Sequence, residues 1–469
     1  MNQPPLLLTD EQMRKFITEG FLILKTDFPE SFHQSMTAEL KKVYDEEGNP
    51  GNNLLPRIRE IQQVFDSPVI QGALTSVLGP NYMLHAHRHG HYNAEPAAGG
   101  WHKDSYWGYS RMRNHHPWWA MIMYFPQNTP IELGPTGVMP GTQNYESRTF
   151  VSDEAAGEAY ASGEAGTFAL IHYDIWHRST PNVLGQSRYM LKFEFMRTEA
   201  PVKPSWDNHA AEWQEPSGLS LPIAFHETLW EENWNWLSGS VGSLAESREE
   251  NSAKLNELAE NLAHSFEPTA LNAAYELARY GKKGISVLIA GLRNEDVSIS
   301  RTAAYGLSVA GIDAVEELTS ALADDREETV FHAVFALGEL RHLAASALEA
   351  LNGLLSHPSA TIRSAVAEAL GIIGSASPAS VDGLIACLSD EDVQVRFTAG
   401  LSLSRLGPVA ASAVPALEAA LDDENRYVRA HALEALRYIG TDDAKNILIK
   451  SLFNARWCTT TTPATPFYP

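Results

Sequence analysis

Two histidines and one aspartate in the N-terminal half of the sequence have the types and spacing of a set of metal ligands. His102 and Asp104 are separated by one residue, and His177 follows 75 residues after the first histidine. Residues i and i+2 of a strand share a face, so the first pair can point at one ion while a distant strand brings the second imidazole. Two imidazoles and one carboxylate on one face are typical ligands of non-haem iron(II), and they leave other coordination positions open for an oxo-acid and O2. The pattern therefore predicts an iron(II) site.

A His-x-Asp pair is by itself a weak signal in a chain with 17 histidines. A second pair, His172 and Asp174, competes with the first, and an isolated pair is usually a histidine hydrogen-bonded to its neighbour. The earlier pair is favoured because Arg188 lies 11 residues after His177 on the next strand-like run. A planar guanidinium can bind a carboxylate in bidentate fashion, so we expect this arginine to bind the oxo-acid.

The residues around these candidate ligands predict short strands. A capping box of Thr9 and Gln12 predicts a first helix from Thr9 to Glu19. Strand-like runs between turn signals lie at residues 20–24, 82–88, 118–125, 167–172 and 189–196. Short strands without amphipathic helices between them predict an antiparallel barrel or a double-sheet jelly roll.

The C-terminal half of the sequence repeats at intervals of 33 residues. Each repeat has two Leu- and Ala-rich segments around an acidic turn, and a glycine ends the second segment, except that Leu340 stands where a glycine is expected. The recurring residues are Leu322, Leu355, Leu388 and Leu421, and Gly374, Gly407 and Gly440. Stacked helix pairs form a continuous core where a single pair cannot, so the repeats predict an all-α solenoid that resembles HEAT-like repeats.

Three arginines, Arg363, Arg396 and Arg429, recur with the period of the leucines. We expect each of them to bond the acidic turn of a neighbouring repeat. The alternative is a binding ridge on the concave surface of the solenoid.

The two patterns divide the chain into four segments. Residues 1–200 are expected to form the metal-binding domain, and residues 265–455 the HEAT-like domain. Residues 201–264 contain five tryptophans between positions 206 and 236, which predicts a packed connector because free linkers seldom carry so many. Residues 456–469 predict a flexible tail.

Charge and cysteine content limit the partners and the compartment. The net charge of −23 repels nucleic acid and anionic membranes, and no run of Lys and Arg counters it. Cys387 and Cys458 form no Cys-x-x-Cys pair, which excludes a cysteine zinc site and a disulfide framework and fits a reducing compartment. No apolar run approaches the roughly 18 residues that span a bilayer. We expect a cytoplasmic protein without nucleic-acid or membrane partners.

Residues 1 to about 200 resemble the phytanoyl-CoA dioxygenase family of iron(II)/2-oxoglutarate oxygenases. The segments that carry the resemblance are Leu8–Gln12, Gly20–Leu24, His102–Asp104, Glu132–Pro135, Val138–Thr142, Gly166–Thr167, His177–Ser179, Asn182 and Arg188. The resemblance implies a double-stranded β-helix, a jelly-roll or cupin-like core, with flanking helices. It also implies a metal triad of His102, Asp104 and His177, a salt bridge from Arg188 to 2-oxoglutarate, and a cosubstrate contact at Ser179.

The activity implied by the resemblance is that of a dioxygenase using Fe(II), 2-oxoglutarate and O2, with ascorbate as a reductant. Such an enzyme hydroxylates or otherwise oxidises a small organic substrate and releases succinate and CO2. Asp104 favours hydroxylation, because relatives that transfer halide lack this carboxylate. The family usually has Ser-His where this chain has Thr142-Gln143, so the contacts of that loop stay open.

Two alternative functions remain open at this point. One is an oxygenase whose repeats recruit a protein or carrier-bound substrate. The other is a catalytically inactive scaffold that binds partners. The HEAT-like repeats can also serve for self-association.

Other residues near the candidate ligands have two interpretations each. The loop at residues 105–116 is either a solvated basic turn or a lid that faces the substrate. Alternating histidines on one strand are either a metal ladder or, as we expect, residues that line a pocket or the sheet surface, because no acidic partner or downstream arginine completes a metal site. These histidines are His85, His87, His89 and His91. Trp118 and Trp119 are expected in the core, and Tyr92 and Asn93 can orient 2-oxoglutarate.

Overall fold

The computed structural model describes residues 3–104, 112–150, 157–245, 248, 249, 251–374 and 377–454, and the chain divides into two compact units. The main boundary between them lies at Ser238 and Gly239. The helices of the N-terminal unit are α1 (Asp10–Glu19), α2 (Glu30–Glu47), α3 (Glu60–Phe65), α4 (Pro68–Leu78) and α5 (Glu227–Leu237). Its strands are β1 (Phe21–Lys25), β2 (Met83–Asn93), β3 (Trp119–Tyr124), β4 (Thr136–Val138), β5 (Ala159–Tyr160), β6 (Thr167–His172), β7 (His177–Ser179) and β8 (Arg188–Met196).

The larger sheet of this unit has five antiparallel strands in the order β1-β6-β3-β8-β2. The central strands β3, β6 and β8 are buried along their whole length. Trp118 and Trp119, at the start of β3, are buried in this core as predicted. Because β8 lies between β3 and β2, any polar side chain that it carries has neighbours on both sides.

The smaller sheet has three antiparallel strands in the order β5-β4-β7. Strand β7 begins at His177, which lies opposite Val138 of β4. The other edge of β7 pairs with His102 through an isolated antiparallel bridge. Both candidate histidine ligands therefore belong to this edge. The sequence did not predict β4, β5 or β7, because strands of two or three residues are too short to show an alternation.

Helix α1 begins where the capping box predicts. The backbone N–H of Gln12 donates to Thr9 Oγ1 at 3.3 Å, and the backbone N–H of Thr9 donates to Gln12 Oε1 at 3.0 Å. Gly20 ends the helix with φ of 79°, a left-handed conformation that glycine adopts at little cost. A Cβ added at Gly20 would lie 2.5 Å from Gln143 Oε1, so this turn fits closely against the loop after β4.

The tryptophan-rich segment after β8 packs within the N-terminal unit. Trp206 donates its indole N–H to Asp10 at 2.7 Å, at the start of α1. Trp234 on α5 is fully buried, and the guanidinium carbon of Arg14 lies 5.3 Å from its ring centroid. Helix α5 and this segment therefore hold α1, which leads directly into β1.

The C-terminal unit is a succession of helix pairs, which confirms the prediction of a helical repeat region. Its helices are α6 (Ser252–Leu262), α7 (Glu267–Ala278), α8 (Gly281–Leu292), α9 (Val297–Leu307), α10 (Val315–Ala321), α11 (Glu327–Glu339), α12 (Leu348–Leu354), α13 (Ala360–Ile373), α14 (Pro378–Cys387), α15 (Val393–Leu406), α16 (Val414–Ala420), α17 (Arg426–Ile439) and α18 (Asp442–Asn454). Helices α11, α13, α15 and α17 begin at residues 327, 360, 393 and 426, which reproduces the period of 33 residues. Each of these helices packs against the next one.

Two of the three recurring arginines bond the acidic turn of the next repeat, as expected. Arg363 donates from Nε and Nη2 to the two carboxylate oxygens of Asp390, each at 2.8 Å. Arg396 repeats the arrangement with Asp423 at 2.8 and 3.4 Å. Arg429 instead donates to the backbone carbonyl of Asp423, in the turn before its own helix. The ladder of ion pairs therefore joins successive repeats and stops at the last of these arginines.

The repeat that lacks a terminal glycine has an arginine in its place. The period of 33 residues puts the missing glycine at Arg341, one residue after the position expected from the sequence. Arg341 has φ of 54°, and within the described chain it is the non-glycine residue with positive φ. This repeat therefore keeps the positive φ of the glycines that end the other repeats, without the residue that adopts it most readily.

Cys387 at the end of α14 is a buried residue of the C-terminal unit, 4% exposed. Burial raises the pKa of its thiol to about 11, and the Asp390 carboxylate acts in the same direction. The side chain therefore stays protonated at neutral pH and packs as a small apolar group.

Some of the expectations fall on segments without a structural description. The predicted tail at residues 456–469 and residues 105–111 of the predicted lid lie outside the described residues. Over the part of the chain that is described, no helix has the length and apolar character needed to cross a membrane.

The ion-pair ladder predicts a specific loss of stability. Arg396→Met should lower the free energy of unfolding by about 2 kcal/mol, because it leaves the largely buried Asp423 carboxylate without its partner. Urea denaturation followed by circular dichroism at the helical band measures the change. Arg437→Met is the matched control, since Arg437 is 62% exposed in its pair with Glu434 and its removal should change stability little. Equal effects of the two substitutions would contradict a structural role of the ladder.

A buried histidine predicts how the stability of the chain depends on pH. His332 on α11 lies with Nδ1 2.7 Å from Ser300 Oγ, and burial, followed by Arg301 and Arg326, lowers its pKa from 6.5 to about 4. The unfolded chain therefore takes up this proton at a higher pH than the folded chain. Stability due to neutral His332 is present above about pH 6.5 and is lost as the pH falls towards about 4.

We expect His332→Gln to reduce the loss of stability between about pH 7 and about pH 4 by roughly 2 to 3 kcal/mol relative to the wild type. Urea denaturation curves recorded across this range measure the difference. The same pH dependence in both proteins would show that this imidazole is not the titrating group.

Candidate metal centre

The two candidate histidine ligands meet through backbone pairing. The N–H of His102 donates to the carbonyl of His177, and the N–H of His177 donates to the carbonyl of His102, both at 3.0 Å. Residues paired in this way have side chains on the same face of the ladder, and the two ring centroids are 4.4 Å apart. Asp104 shares that face, because it lies two residues after His102.

The opposite face of the same two segments is covered by aromatic and cationic side chains. The guanidinium carbon of Arg178 lies 4.5 Å from the ring centroid of Trp101, and Arg178 forms two hydrogen bonds with Glu158, at 2.9 and 2.6 Å. The ammonium of Lys103 lies 5.7 Å from the ring centroid of Trp176. These contacts fix the residues on either side of the ligands and so limit how far the ligands can turn.

Both imidazoles are oriented by a backbone carbonyl. Nδ1 of His102 is 2.9 Å from the carbonyl oxygen of Gly100, and Nδ1 of His177 is 3.1 Å from that of Ile175. A carbonyl oxygen only accepts hydrogen bonds, so Nδ1 carries the proton in each ring and Nε2 keeps its lone pair. Nε2 is therefore the atom of each ring that is available to a metal ion.

The carboxylate completes the cluster. Asp104 Oδ2 lies 3.5 Å from His177 Nε2, and the ligand atoms of His102, Asp104 and His177 all lie within 4.8 Å of one another. Burial opposes ionisation of Asp104, but Lys192 and the two imidazoles hold the pKa of this carboxyl below its usual range. Burial lowers the pKa of His177 to about 4, with Asp104 acting in the opposite direction. An ionised carboxylate and a neutral imidazole are the states that bind a metal ion.

The ligand atoms of the triad fit a metal ion, whereas His172 and Asp174, the rival pair, form hydrogen bonds within the protein. Within the described chain, the triad is the group of three His, Cys, Asp or Glu residues whose ligand atoms come close enough to hold a metal ion. Asp174 of the rival pair accepts a hydrogen bond from Arg113 at 3.0 Å, and its backbone N–H donates to His172 Nδ1 at 3.2 Å. Two imidazole nitrogens and one carboxylate oxygen in the triad are the donors that suit iron(II).

Arg188 is a buried cation with spare hydrogen-bonding capacity. It begins β8, is 2% exposed, and donates from Nε to the carbonyl of Gly134 at 3.0 Å. Nη1 is buried, and none of the described residues accepts a hydrogen bond from it. Burial lowers the pKa of Arg188 to about 10, with Tyr44 opposing this, so the group stays charged at neutral pH. A buried cation with an unused donor fits a carboxylate ligand.

Arg188 and the triad lie over the same face of β8, because Lys192, four residues after Arg188 on this strand, bonds Asp104. The space between them is called the chamber below. Burial lowers the pKa of His91 to about 3, the cations Lys192 and Arg188 act in the same direction, and Asp104 raises it. The register of β2 on β8 agrees, because Arg188 lies opposite Asn93, two residues beyond His91.

The other predicted cosubstrate contacts differ in what they can still bind. Ser179 Oγ accepts a hydrogen bond from the backbone N–H of Gly99 at 3.2 Å, and its own hydroxyl proton is left for another acceptor. Asn93 uses both polar atoms of its side chain for backbone groups. Tyr92 is 48% exposed and packs against two other tyrosines. Ser179 is therefore a half-buried hydroxyl at the metal site whose proton remains available to the cosubstrate.

The row of histidines on β2 has an acidic neighbour, contrary to the expectation from the sequence. The rings of His87, His89 and His91 follow one another at centroid distances of 5.6 and 5.4 Å. The β-bulge between Leu84 and Arg88 contains both His87 and the fully buried His85. The carboxylate of Glu194 lies 3.6 Å from His85 and 3.7 Å from His87. Glu194 is on β8, so the position of the histidines in the sequence did not reveal it.

The loop containing Thr142 and Gln143 braces the ligand segments. The backbone N–H of Trp176 donates to Thr142 Oγ1 at 3.1 Å, directly before His177. Gln143 Nε2 donates to the carbonyl of Ile17 at 3.0 Å. This loop therefore ties β7 to α1, which answers the question that its sequence left open.

Lys192 is a residue of the site that the sequence analysis missed. Its ammonium lies 2.5 Å from Asp104 Oδ2, and its side chain is 6% exposed. The signal was present in the sequence, because Lys192 is four residues after Arg188 on an alternating strand and so shares its face. The alternation of side chains along β8 did not reveal that Asp104, from a distant segment, lies against Lys192.

Comparisons with known proteins match both halves of the chain. Residues 20–190 match the family model of phytanoyl-CoA dioxygenase (PhyH), and residues 315–404 and 381–457 match the model of HEAT repeats. These matches confirm the two resemblances seen in the sequence. The comparison with curated proteins found no match.

Three solved structures illustrate which known proteins resemble part of the chain. A non-heme monooxygenase, the ThoJ complex with nickel, shares 15% identity over 45% of this chain and 87% of that chain, with a TM-score of 0.33. The non-heme alpha ketoglutarate dependent carbocyclase SnoK from nogalamycin biosynthesis shares 16% over 42% and 88%, with a TM-score of 0.33. HygX from Streptomyces hygroscopicus, with nickel and 2-oxoglutarate bound, shares 14% over 46% and 97%, with a TM-score of 0.34.

The geometry of the triad predicts that His177 is needed for metal binding. His177→Ala should weaken Mn²⁺ binding by at least about 100-fold, because it removes a ligand whose orientation the backbone has already fixed. Isothermal titration calorimetry measures the affinity. His209→Ala, at a position whose side chain is 81% exposed, is the matched control and should bind Mn²⁺ as the wild type does. Retention of full Mn²⁺ affinity by His177→Ala would contradict the assignment.

Proposed function

We propose that this chain, whose residues 20–190 belong to the phytanoyl-CoA dioxygenase family and whose residues 315–457 form HEAT repeats, is an iron(II)- and 2-oxoglutarate-dependent dioxygenase. Its substrate in this proposal is a small organic molecule, which is hydroxylated while succinate and CO2 are released. The proposal rests on the convergence of His102, Asp104 and His177, whose ligand atoms lie within 4.8 Å of one another. It is further supported by Arg188, which is buried and incompletely hydrogen-bonded and shares a face of β8 with Lys192, whose ammonium bonds Asp104.

The metal ligands in this proposal are Nε2 of His102, Nε2 of His177 and a carboxylate oxygen of Asp104. The contacts of each Nδ1 with a backbone carbonyl set the tautomer and the direction of each ring before any metal arrives. A metal ion held by these three ligands would have further coordination positions for the oxo-acid and O2.

The cosubstrate in this proposal is held by Arg188. The hydrogen bond from its Nε to Gly134 fixes the plane of the guanidinium and leaves Nη1 for the distal carboxylate of 2-oxoglutarate. The hydroxyl proton of Ser179, two residues after His177, is a second donor for this ligand. Arg188 supplies a positive charge that attracts the cosubstrate, and the hydroxyl of Ser179 supplies a hydrogen bond that orients it.

The protein contributes to the reaction by positioning the reactants and by excluding water. When bound, iron(II) and 2-oxoglutarate supply the oxidising chemistry that uses O2. The buried strands β3, β6 and β8 exclude water from one wall of the chamber. Asp104 retains the carboxylate at the third ligand position, which favours hydroxylation over halide transfer. Ascorbate serves in this proposal to keep the iron reduced.

We assign the two antiparallel sheets to the two layers of a double-stranded β-helix. The domain limits that accompany this assignment are residues 1–200 for the oxygenase domain, 201–264 for the connector, 265–455 for the HEAT-like domain and 456–469 for the tail.

The HEAT-like domain offers its surface to a protein partner or to a second copy of the chain. The cytoplasm is the compartment that fits a chain with so few cysteines.

The proposed role of Arg188 predicts a defect in cosubstrate binding. Purified protein with Fe(II), ascorbate and 2-oxoglutarate should release succinate, which proton NMR quantifies. Arg188→Met should raise the KM for 2-oxoglutarate by about 30-fold or more, because the distal carboxylate loses a buried ion pair, and should lower kcat much less.

Arg59→Met provides the control for this experiment, because Arg59 is an exposed arginine of the same unit and its loss should leave the KM unchanged. A wild-type protein that binds Fe(II) but releases no succinate, even with a pool of candidate metabolites, would contradict the proposed function. An unchanged KM in Arg188→Met would contradict only the assignment of the cosubstrate arginine.

A further inference from the structure

Lys192 places a positive charge directly against the carboxylate of the metal centre. Its side chain is 6% exposed, and Nζ lies 2.5 Å from Asp104 Oδ2. The same oxygen lies 3.5 Å from His177 Nε2, so it belongs to the side of the carboxylate that faces the imidazole. A metal ion held by the triad has to share this oxygen with the ammonium or take it over.

The fold keeps Lys192 at this position. Strand β8 lies between β3 and β2, where Lys192 is paired with Met123 on one side and His89 on the other. Within the described chain, Asp104 is the hydrogen-bond acceptor that Nζ contacts. Moving the ammonium away would leave it unpaired in a buried chamber, which costs free energy. The contact is therefore a stable feature of the metal-free chain.

The ammonium and a divalent ion compete for the same negative charge. Two cations a few ångströms apart repel each other by several times the thermal energy, even at the effective dielectric constant of about 20 that applies to protein sites. Asp104 supplies one negative charge against the two of the metal ion and the one of Lys192. Arg188 adds a further positive charge to the chamber, so a dianionic ligand supplies two of the three negative charges that are missing.

We propose that Lys192 is a positioning residue that neutralises Asp104 in the metal-free site and opposes metal binding until the anionic cosubstrate is present. This inference rests on the proposed function, because it takes the triad as the metal ligands and 2-oxoglutarate as the cosubstrate. Coupling between two ligands is reciprocal, so Lys192 also strengthens the dependence of 2-oxoglutarate binding on the metal. The site then takes up the metal ion and the dianion together, and the metal ion alone only weakly.

The test compares Mn²⁺ binding by the full-length wild type and by Lys192→Met. Calorimetric titrations are carried out without O2, with and without saturating 2-oxoglutarate, so that affinity and not turnover is measured. Without 2-oxoglutarate, Lys192→Met should bind Mn²⁺ about tenfold more tightly than the wild type, because the repulsion is gone. With 2-oxoglutarate, the difference between the two proteins should fall to about threefold or less.

Two further variants control this experiment. Lys203→Met removes the same charge from an exposed position of the same unit and should bind Mn²⁺ as the wild type does. Lys192→Gln replaces Lys192→Met if thermal melting shows that the methionine variant does not fold.

The outcomes separate this inference from the function on which it rests. Equal or weaker Mn²⁺ binding by the Lys192 variants, compared with the wild type, would overturn the inference and leave the metal centre in place. Failure of the wild type to bind Mn²⁺, with and without 2-oxoglutarate, would overturn the proposed function and this inference with it.

Discussion

The pairing of His102 with His177 is the interaction on which the rest of the site depends. Two backbone hydrogen bonds of 3.0 Å join segments that are 75 residues apart in the sequence. Everything that positions the ligands acts on this pairing, including the bracing loop after β4 and the aromatic and cationic cover on its outer face. The segments also approach closely at Gly99, where an added Cβ would lie 2.5 Å from Ser179 Oγ. A side chain there would displace the Ser179 hydroxyl, because the backbone nitrogen and Cβ of Ser179 lie at ordinary contact distances of 3.5 and 3.7 Å.

Charge within the chamber is arranged by one strand. Arg188, Lys192 and Glu194 lie on β8 at alternate positions, and each meets a different partner above the sheet. Because β8 is enclosed by strands on both sides, these groups cannot relax into solvent, and their pairing has to be completed within the chamber. The negative charge of Asp104 therefore contributes to a net charge of the chamber to which any ligand adds its own. The charged residues of β8 therefore determine which charge the cosubstrate has to carry.

Features that depend on local sequence could be predicted, and features that depend on the meeting of distant strands could not. The capping box at Thr9, the strand at residues 167–172 and the 33-residue period all arise from nearby residues, and the structure has them where expected. Chemistry favoured the earlier His-x-Asp pair, because a distant segment then brings the second imidazole and the next strand-like run brings an arginine. Glu194 beside the histidine row and Lys192 beside Asp104 escaped prediction, because strand order and register decide those contacts.

The burial of Cys387 has a practical consequence for following the motions of the helical unit. Thiol-modifying reagents attack the thiolate, which this side chain hardly forms while α14 stays packed. Labelling of Cys387 therefore requires a transient opening of the repeats around it, and its rate reports the free energy of that opening. The chain thus contains an internal probe of the cohesion between its repeats, placed beside the Arg363–Asp390 pair.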